Sequence, residues 1–303
     1  MIDVLVCCLA HEGRPPLSCY PQIRGYYLAK YLARIGLSAE FRSFPCPEVE
    51  CRVLICSEYQ GEAEWLARLQ RYLAPIRADK LYGMVDFGLA GRDDHFSKPM
   101  TQWFGARGGV LSHLSSFPLE PYEQFIGVGV DTEVLKFNPQ VERDTFLFDF
   151  PASTTMKSWR DYFRLDVFLT ARARLQGHRF LGMGEAPAPI QEHFDEWVCY
   201  GKTHKDFVQS FTGCAAFVPG CSESLGLSVC EAQTIGACIV HRAKEIHPEV
   251  LCPAAGILYE DGESLAAALQ ESLARDPREI AAQAEEKFDF VAVAQRVRAA
   301  IGL

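Results

Sequence analysis

What most constrains this chain is the character of its apolar runs. "DVLVCCLA" near the start and "CAAFVPG" at 214–220 are unbroken rather than alternating. A strand with one wet face alternates, whereas an unbroken apolar strand is covered on both faces. After the first run, "HEGRPPLSCYP" has the Gly and Pro content of a loop. "QIRGYYLAKYLARIG" then places Ile23, Tyr27, Leu28, Tyr31, Leu32 and Ile35 at helical spacing and stops at Gly36. With the strand "SAEFRSF" following, this is the βαβ unit of a parallel sheet.

The same grammar repeats through "CRVLICSEY", a helix over "GEAEWLARLQRYL", "KLYGMVDFG" and "FIGVGVD". The polar stretch "TEVLKFNPQVERD" (132–144) separates it from a second series. That series reads "TFLFDF", a helix over about 158–176, "HRFLGMG", "EWVCYG", a helix over "THKDFVQSFTG", "AAFVPG", "ACIVH" and "GILYE", closing with a helix over roughly 277–300. The 303 residues accommodate two domains of about 130–170 residues each. The expectation is α/β: two Rossmann-like domains, residues 1–135 and 136–285, with parallel sheets facing across a cleft. Residues 286–303 are expected as a helix packing back on the first domain. In such sheets ligands sit beyond the carboxyl ends of the strands.

Composition removes several classes. A net charge of -9 gives no cationic surface for nucleic acid. The twelve cysteines contain no CxxC, so they read as reduced, mostly buried small residues with no metal site. "MIDVLVCCLA" has no secretion-signal pattern, and no apolar run reaches the ~18 residues of a membrane span. The expected location is therefore cytoplasmic. The basic, aromatic stripe of "IRGYYLAKYLARIG" allows a weak peripheral membrane or acceptor contact, but its spacing fits a helix packed on the sheet.

"CSESLGLSVCEAQTIGA" (221–237) carries the chemistry. It follows the buried strand as a loop, and its helix is expected to start near Leu227, with Leu227, Cys230, Thr234 and Ala237 on one face. Gly226 permits a tight backbone there. The first-turn N–H groups and the peptide dipole favour an anion such as a diphosphate. Glu231, about one turn in, leans toward the same edge. Glu231 and Glu223 are acceptor-only groups that suit hydroxyls. Hydroxyls, phosphates and hydroxyls together describe a nucleotide sugar. The spacing alone equally allows ordinary first-turn acids.

The stretch "FVPGCSESLGLSVCEAQTIGACIV" resembles the E-x7-E signature of retaining GT-B glycosyltransferases of the GT4-like group. "YGKTHKDFVQSF" resembles the segment before that strand, "GILYEDGESLAAAL" the segment after the signature, and "IGVGVDTEVLKF" the "GVD" linker between domains. The likeness covers the chain from about 131 onward and the first 130 residues in outline. It implies transfer of a sugar from a nucleotide-diphosphate donor to a glycan, lipid-linked or small-molecule acceptor, with retained anomeric configuration and no metal or other cofactor.

On this resemblance Glu231 holds the ribose and Glu223 the donor sugar, the backbone around Leu225, Gly226 and Leu227 holds the diphosphate or sugar hydroxyls, and Ser224 belongs to the same donor site. The family's Gly-Arg…Lys-Gly pattern after the first strand of the second domain is altered here. "TFLFDFPASTTMKSWRD" offers Lys157 as the phosphate ligand, Arg160 as its substitute, and Ser153, Thr154 and Thr155 as helpers. In the first domain Gly13 and Arg14 of "HEGRPPL" would lie near the phosphates. His95, Asp94, Asp86 and His113 are candidates near the reacting sugar. "GMGE" (182–185) mimics a dinucleotide loop but lacks a third glycine and a following helix. A nucleotide-sugar epimerase or hydrolase on the same fold, or a catalytically silent binding protein, stays open from sequence.

Overall fold

The unbroken apolar runs form strands, and each pairs with its neighbours in parallel. The structure is a computed structural model that describes residues 2–9, 20–57, 63–85, 98–115, 121–150, 164–184, 186, 188–198, 209–219, 226–243 and 246–303. The chain divides into two units, Met1–Asp131 with Phe288–Leu303, and Thr132–Lys287.

The first unit runs β1 (Ile2–Leu9), α1 (Tyr20–Arg34), β2 (Ala39–Phe44), β3 (Val49–Cys56), α2 (Ala63–Leu73), β4 (Ile76–Val85), α3 (Lys98–Gly105), β5 (Gly108–Ser112) and β6 (Glu123–Phe125). Its sheet has the order β2-β1-β3-β4-β5-β6. Val4 to Cys8 of β1 are all fully buried, for the reason the sequence gives. Val4 and Val6 join one core with Leu28, Tyr31 and Leu32 of α1, while Leu5 and Cys7 join a second with Leu69 of α2 and Phe104 of α3. The α3–β5 pair escapes a pattern reading because "GGVLS" is short and opens on two glycines. "FIGVGVD" is not a strand along its length: β6 ends at Phe125, and only Val130 makes a bridge, to Asp289.

The second unit runs β7 (Thr145–Phe150), α4 (Leu165–Arg174), β8 (Arg179–Gly184), α5 (Ala188–Gln191), β9 (Glu196–Val198), β10 (Cys214–Pro219), α6 (Leu227–Thr234), β11 (Cys238–His241), a 3₁₀ turn (Pro248–Val250), β12 (Gly256–Leu258), α7 (Gly262–Ala274) and α8 (Pro277–Lys287). The strand order is β12-β11-β10-β7-β8-β9. The chain winds outward from β7 to one edge, then returns beside β7 and winds to the other. This is the doubly wound order of dinucleotide-binding domains, and its switch point lies between β7 and β10.

Alternation along β7 sets the two faces. Phe146, Phe148 and Phe150 join an aromatic core in which Phe148 meets Phe168 edge-on at 5.1 Å and Phe168 stacks on Phe194 at 4.7 Å. The "GMG" glycines serve this core rather than a dinucleotide. A Cβ on Gly182 would lie 2.1 Å from the Trp197 ring, whose Nε1 donates to the Gly184 carbonyl at 3.1 Å.

The closing helix expected over 277–300 is two helices, α8 and α9 (Phe290–Ile301). Asp289 separates them as an N-cap, accepting from the Val291 and Ala292 N–H groups at 2.9 and 3.2 Å. α9 packs within the first unit, where Phe290 stacks on Tyr31 with ring centres 5.0 Å apart. Tyr31 and Lys30 of α1 both donate to the buried Asp131 carboxylate, at 2.9 and 2.7 Å, where the chain leaves that unit.

All nine described cysteines are buried and unbridged. Cys7 Sγ and Cys46 Sγ lie 3.7 Å apart, a weak thiol contact that raises the Cys7 pKa and lowers that of Cys46. Among the described residues no three His, Cys, Asp or Glu converge on a metal position, and no helix is long and apolar enough to cross a membrane.

Candidate functional site

The second unit's site grows from the carboxyl ends of β7 and β10, where Asp149 pairs in register with Pro219. The chain reaches α6 through Gly226, which is left-handed (φ 54°, ψ 65°), a conformation glycine adopts without a Cβ penalty. No side chain caps the helix there. Its first-turn N–H groups and dipole therefore offer an anion a seat at the sheet's switch point. The helix begins at Leu227, as the sequence indicates, but Val229 to Thr234 are buried all round, and Ala237 lies beyond its end.

Glu231 sits one turn inside, only 3% exposed. A carboxylate buried this far is costly without polar partners. The Thr234 hydroxyl donates to its main-chain carbonyl at 2.8 Å.

Three devices fix α6. The buried Gln233 amide donates to the Val229 and Val250 carbonyls at 2.9 and 2.8 Å, and its oxygen accepts from Cys252 N–H at 2.7 Å. Ala237 N–H bonds back to the Ala232 carbonyl at 3.0 Å, closing the helix end at Gly236. A Cβ at Gly236 would lie 2.4 Å from the Pro277 carbonyl oxygen, so α8 holds that turn. Arg143 donates to the Cys214 carbonyl at 2.8 Å and to that of Ile235. Burial lowers its pKa from the usual guanidinium value, yet a cation at the carboxyl end of α6 suits the helix dipole.

Asp149, which no sequence motif singles out, lies beside the start of α6. It is buried on the face of β7 opposite the phenylalanines, and the Ser228 hydroxyl in the first turn of α6 reaches its Oδ2 at 3.5 Å, long for such a bond. The available signal was a lone charge in an otherwise apolar strand. On the other face, Phe148, Phe150, Arg164, Pro219, Arg242 and Tyr259 line a shallow pocket, so two further arginines come near these strand ends. Arg164 is paired with Asp166 at 2.7 Å.

In the first unit, His113 follows β5 and donates from Nδ1 to the Gly127 carbonyl at 2.7 Å, because that oxygen only accepts. In the neutral ring Nε2 then carries the lone pair. Arg24 and Ser57 meet at the switch point between β1 and β3. Ser57 N–H donates to the Cys7 carbonyl at 2.9 Å, and Arg24 Nη2 donates to the Ser57 carbonyl. Glu231, Gly226 and Leu227 are thus placed together. Gly13, Arg14, Asp86, Asp94, His95, Ser153, Thr154, Thr155, Lys157, Arg160, Glu223, Ser224 and Leu225 lie outside the described residues.

No protein-family model matches the chain, and no curated protein is significantly similar in sequence. Solved structures are similar along the whole length. Anabaena HepE, determined in complex with UDP and glucose, matches with a TM-score of 0.62 at 12% identity over 100% of both chains. AviGT4, a glycosyltransferase involved in avilamycin A biosynthesis, gives 0.62 at 15% identity over 100% of this chain and 97% of its own. Sucrose-phosphate synthase from Thermosynechococcus elongatus gives 0.60 at 12% identity over 97% of each. The fold is GT-B. Its two Rossmann-like domains are the two parallel six-stranded sheets described above.

Proposed function

We propose that this GT-B protein is a retaining, GT4-like glycosyltransferase that moves a sugar from a nucleotide-diphosphate donor to an acceptor. The observation that carries the reading is the buried Glu231 one turn into α6, whose uncapped start lies at the β7–β10 switch point. A carboxylate there accepts hydrogen bonds from paired hydroxyls, and the helix start receives phosphate oxygens. Glu231 holds the ribose and Glu223 the transferred sugar. Ser224, Leu225, Gly226 and Leu227 are the proposed donor-binding residues for the diphosphate or the sugar hydroxyls. For the charge that develops on the leaving diphosphate the proposed ligands are Lys157, or Arg160 in its place, with Thr155 as helper, and Gly13 and Arg14 are further candidates. His95 and Asp94 are the proposed candidates for a group acting near the reacting sugar. Support also comes from the full-length likeness to HepE, which was solved with UDP and glucose.

In this account the cations and the helix start neutralise the diphosphate, so no metal is required. The acceptor is a glycan, a lipid-linked sugar or a small molecule, and the reaction belongs in the cytoplasm. The test incubates the protein with UDP-, GDP-, ADP- and TDP-hexoses and an acceptor panel, following nucleoside diphosphate release with and without EDTA. Acceptor-dependent release that survives EDTA, with a product whose anomeric proton coupling matches the donor's, is expected. Release without acceptor would make the protein a hydrolase, and an inverted anomer would remove the retaining assignment.

A further inference from the structure

Asp149 puts a negative charge where the proposed donor's diphosphate must approach. It is the last residue but one of β7, is 3% exposed, faces α6 rather than the aromatic core, and has its Oδ2 3.5 Å from the Ser228 hydroxyl in the first helical turn. Its position is the switch point itself, since its register partner Pro219 is the last residue of β10. A carboxylate is stabilised beside a helix N-terminus by the same dipole and N–H groups that would bind a phosphate. Asp149 is therefore a resident anion competing for the ligand's seat.

Resting on the function proposed above, we propose that Asp149 is a specificity-determining residue that discriminates the spent nucleoside diphosphate from the intact nucleotide sugar. The chemistry of the two ligands differs in one respect that matters here. In the donor the diphosphate is esterified at both ends and carries two negative charges. After transfer the terminal phosphate is no longer esterified to the sugar, and the diphosphate as a whole carries close to three. A fixed carboxylate nearby repels the second species more than the first. Asp149 thus weakens product binding more than donor binding and speeds release of the nucleotide.

The test measures Kd for UDP, GDP, ADP and TDP and for their hexose conjugates, using the full chain and the variants Asp149→Asn and Ser228→Ala. Asp149→Asn keeps shape and removes charge. It should tighten the free nucleoside diphosphate about tenfold or more, tighten the sugar conjugate distinctly less, and deepen product inhibition of turnover. Ser228→Ala removes the hydroxyl but keeps the charge and should not tighten the nucleotide. If Asp149→Asn does not fold, the smaller neutral Asp149→Ser carries the same comparison. Equal affinities in wild type and the Asn variant, or equal tightening of both ligand classes, would overturn the discriminating role and leave the transferase reading standing. Absence of binding by wild type and Asn variant alike would overturn both.

Discussion

Gln233 is the residue on which the placement of α6 most depends, and Gln233→Leu is the perturbation that measures it. The side chain is fully buried, as are Val250 and Cys252, which it joins to the helix. Leucine fills nearly the same volume, so little cavity forms. What is lost is the donor to the Val250 carbonyl and the acceptor from the Cys252 N–H, 2.8 and 2.7 Å away. The bond to Val229 matters less, because that carbonyl also serves the helix's own ladder. Each buried backbone group left unsatisfied costs about 1–3 kcal/mol, so the two together should destabilise the second unit by about 3 kcal/mol. For a domain of this size that corresponds to a fall in melting temperature of roughly 6–12 °C. Urea unfolding followed by the circular dichroism of the helices, with calorimetry for Tm, is the assay. Gln233→Glu keeps the contact with Cys252 but turns a carboxylate on the Val250 carbonyl, and should destabilise at least as much. A Gln233→Leu protein within about 0.5 kcal/mol of wild type, the scale of ordinary surface changes, would refute this account of how α6 is held.

Gly182→Ala should cost about 1–3 kcal/mol by overpacking, because the new methyl would lie 2.1 Å from the Trp197 ring; Trp fluorescence and chemical denaturation would register it. Burial pushes the thiols of Cys51 and Cys252 to about 11 and those of Cys214 and Cys238 to about 12. In native protein at pH 8 these four should resist an aromatic disulfide reagent and react only on unfolding, which mass mapping of the labelled sites would show. Asp261 caps α7, and hydrogen bonds first from the Ser264 N–H and then from its hydroxyl hold its carboxyl below the ordinary 3.8. Its folded pKa is depressed, so its contribution is complete above the ordinary carboxyl value and disappears as pH falls through the lowered one. Asp261→Ala should therefore melt below wild type at neutral pH, with the gap narrowing in acid as wild type itself protonates.

The scaffold was legible where burial dictates composition. "DVLVCCLA", "TFLFDF", "CAAFVPG" and "ACIVH" had to be unbroken because helices cover both faces of their sheets, and all four are strands. The break between α8 and α9 was hidden because apolar residues keep helical spacing on either side of it, while one aspartate supplies the cap. The short α3–β5 pair carried too few residues to show a period. At the candidate site, the position of Glu231 one turn inside a glycine-led helix could be read from its spacing to Gly226. The positions of Asp149, Arg24 and Ser57 could not, since they depend on which strands become neighbours, and strand order is a long-range property. A pattern reading sees Asp149 as one polar residue in a strand; the topology makes it the residue facing α6 at the switch point.

The central claim, that α6 and its buried glutamate hold a nucleotide sugar, is tested most directly by ligand binding to wild type and Glu231→Ala. UDP, GDP, ADP, TDP and their hexose conjugates should be screened by thermal shift, and any that stabilise should be titrated by calorimetry. The account predicts that at least one nucleotide and its sugar conjugate stabilise the wild-type protein. It further predicts that Glu231→Ala weakens both at least about tenfold, the loss of a charge-assisted pair of hydrogen bonds to ribose hydroxyls. No stabilisation by any nucleotide, or an undiminished affinity in Glu231→Ala, would contradict it.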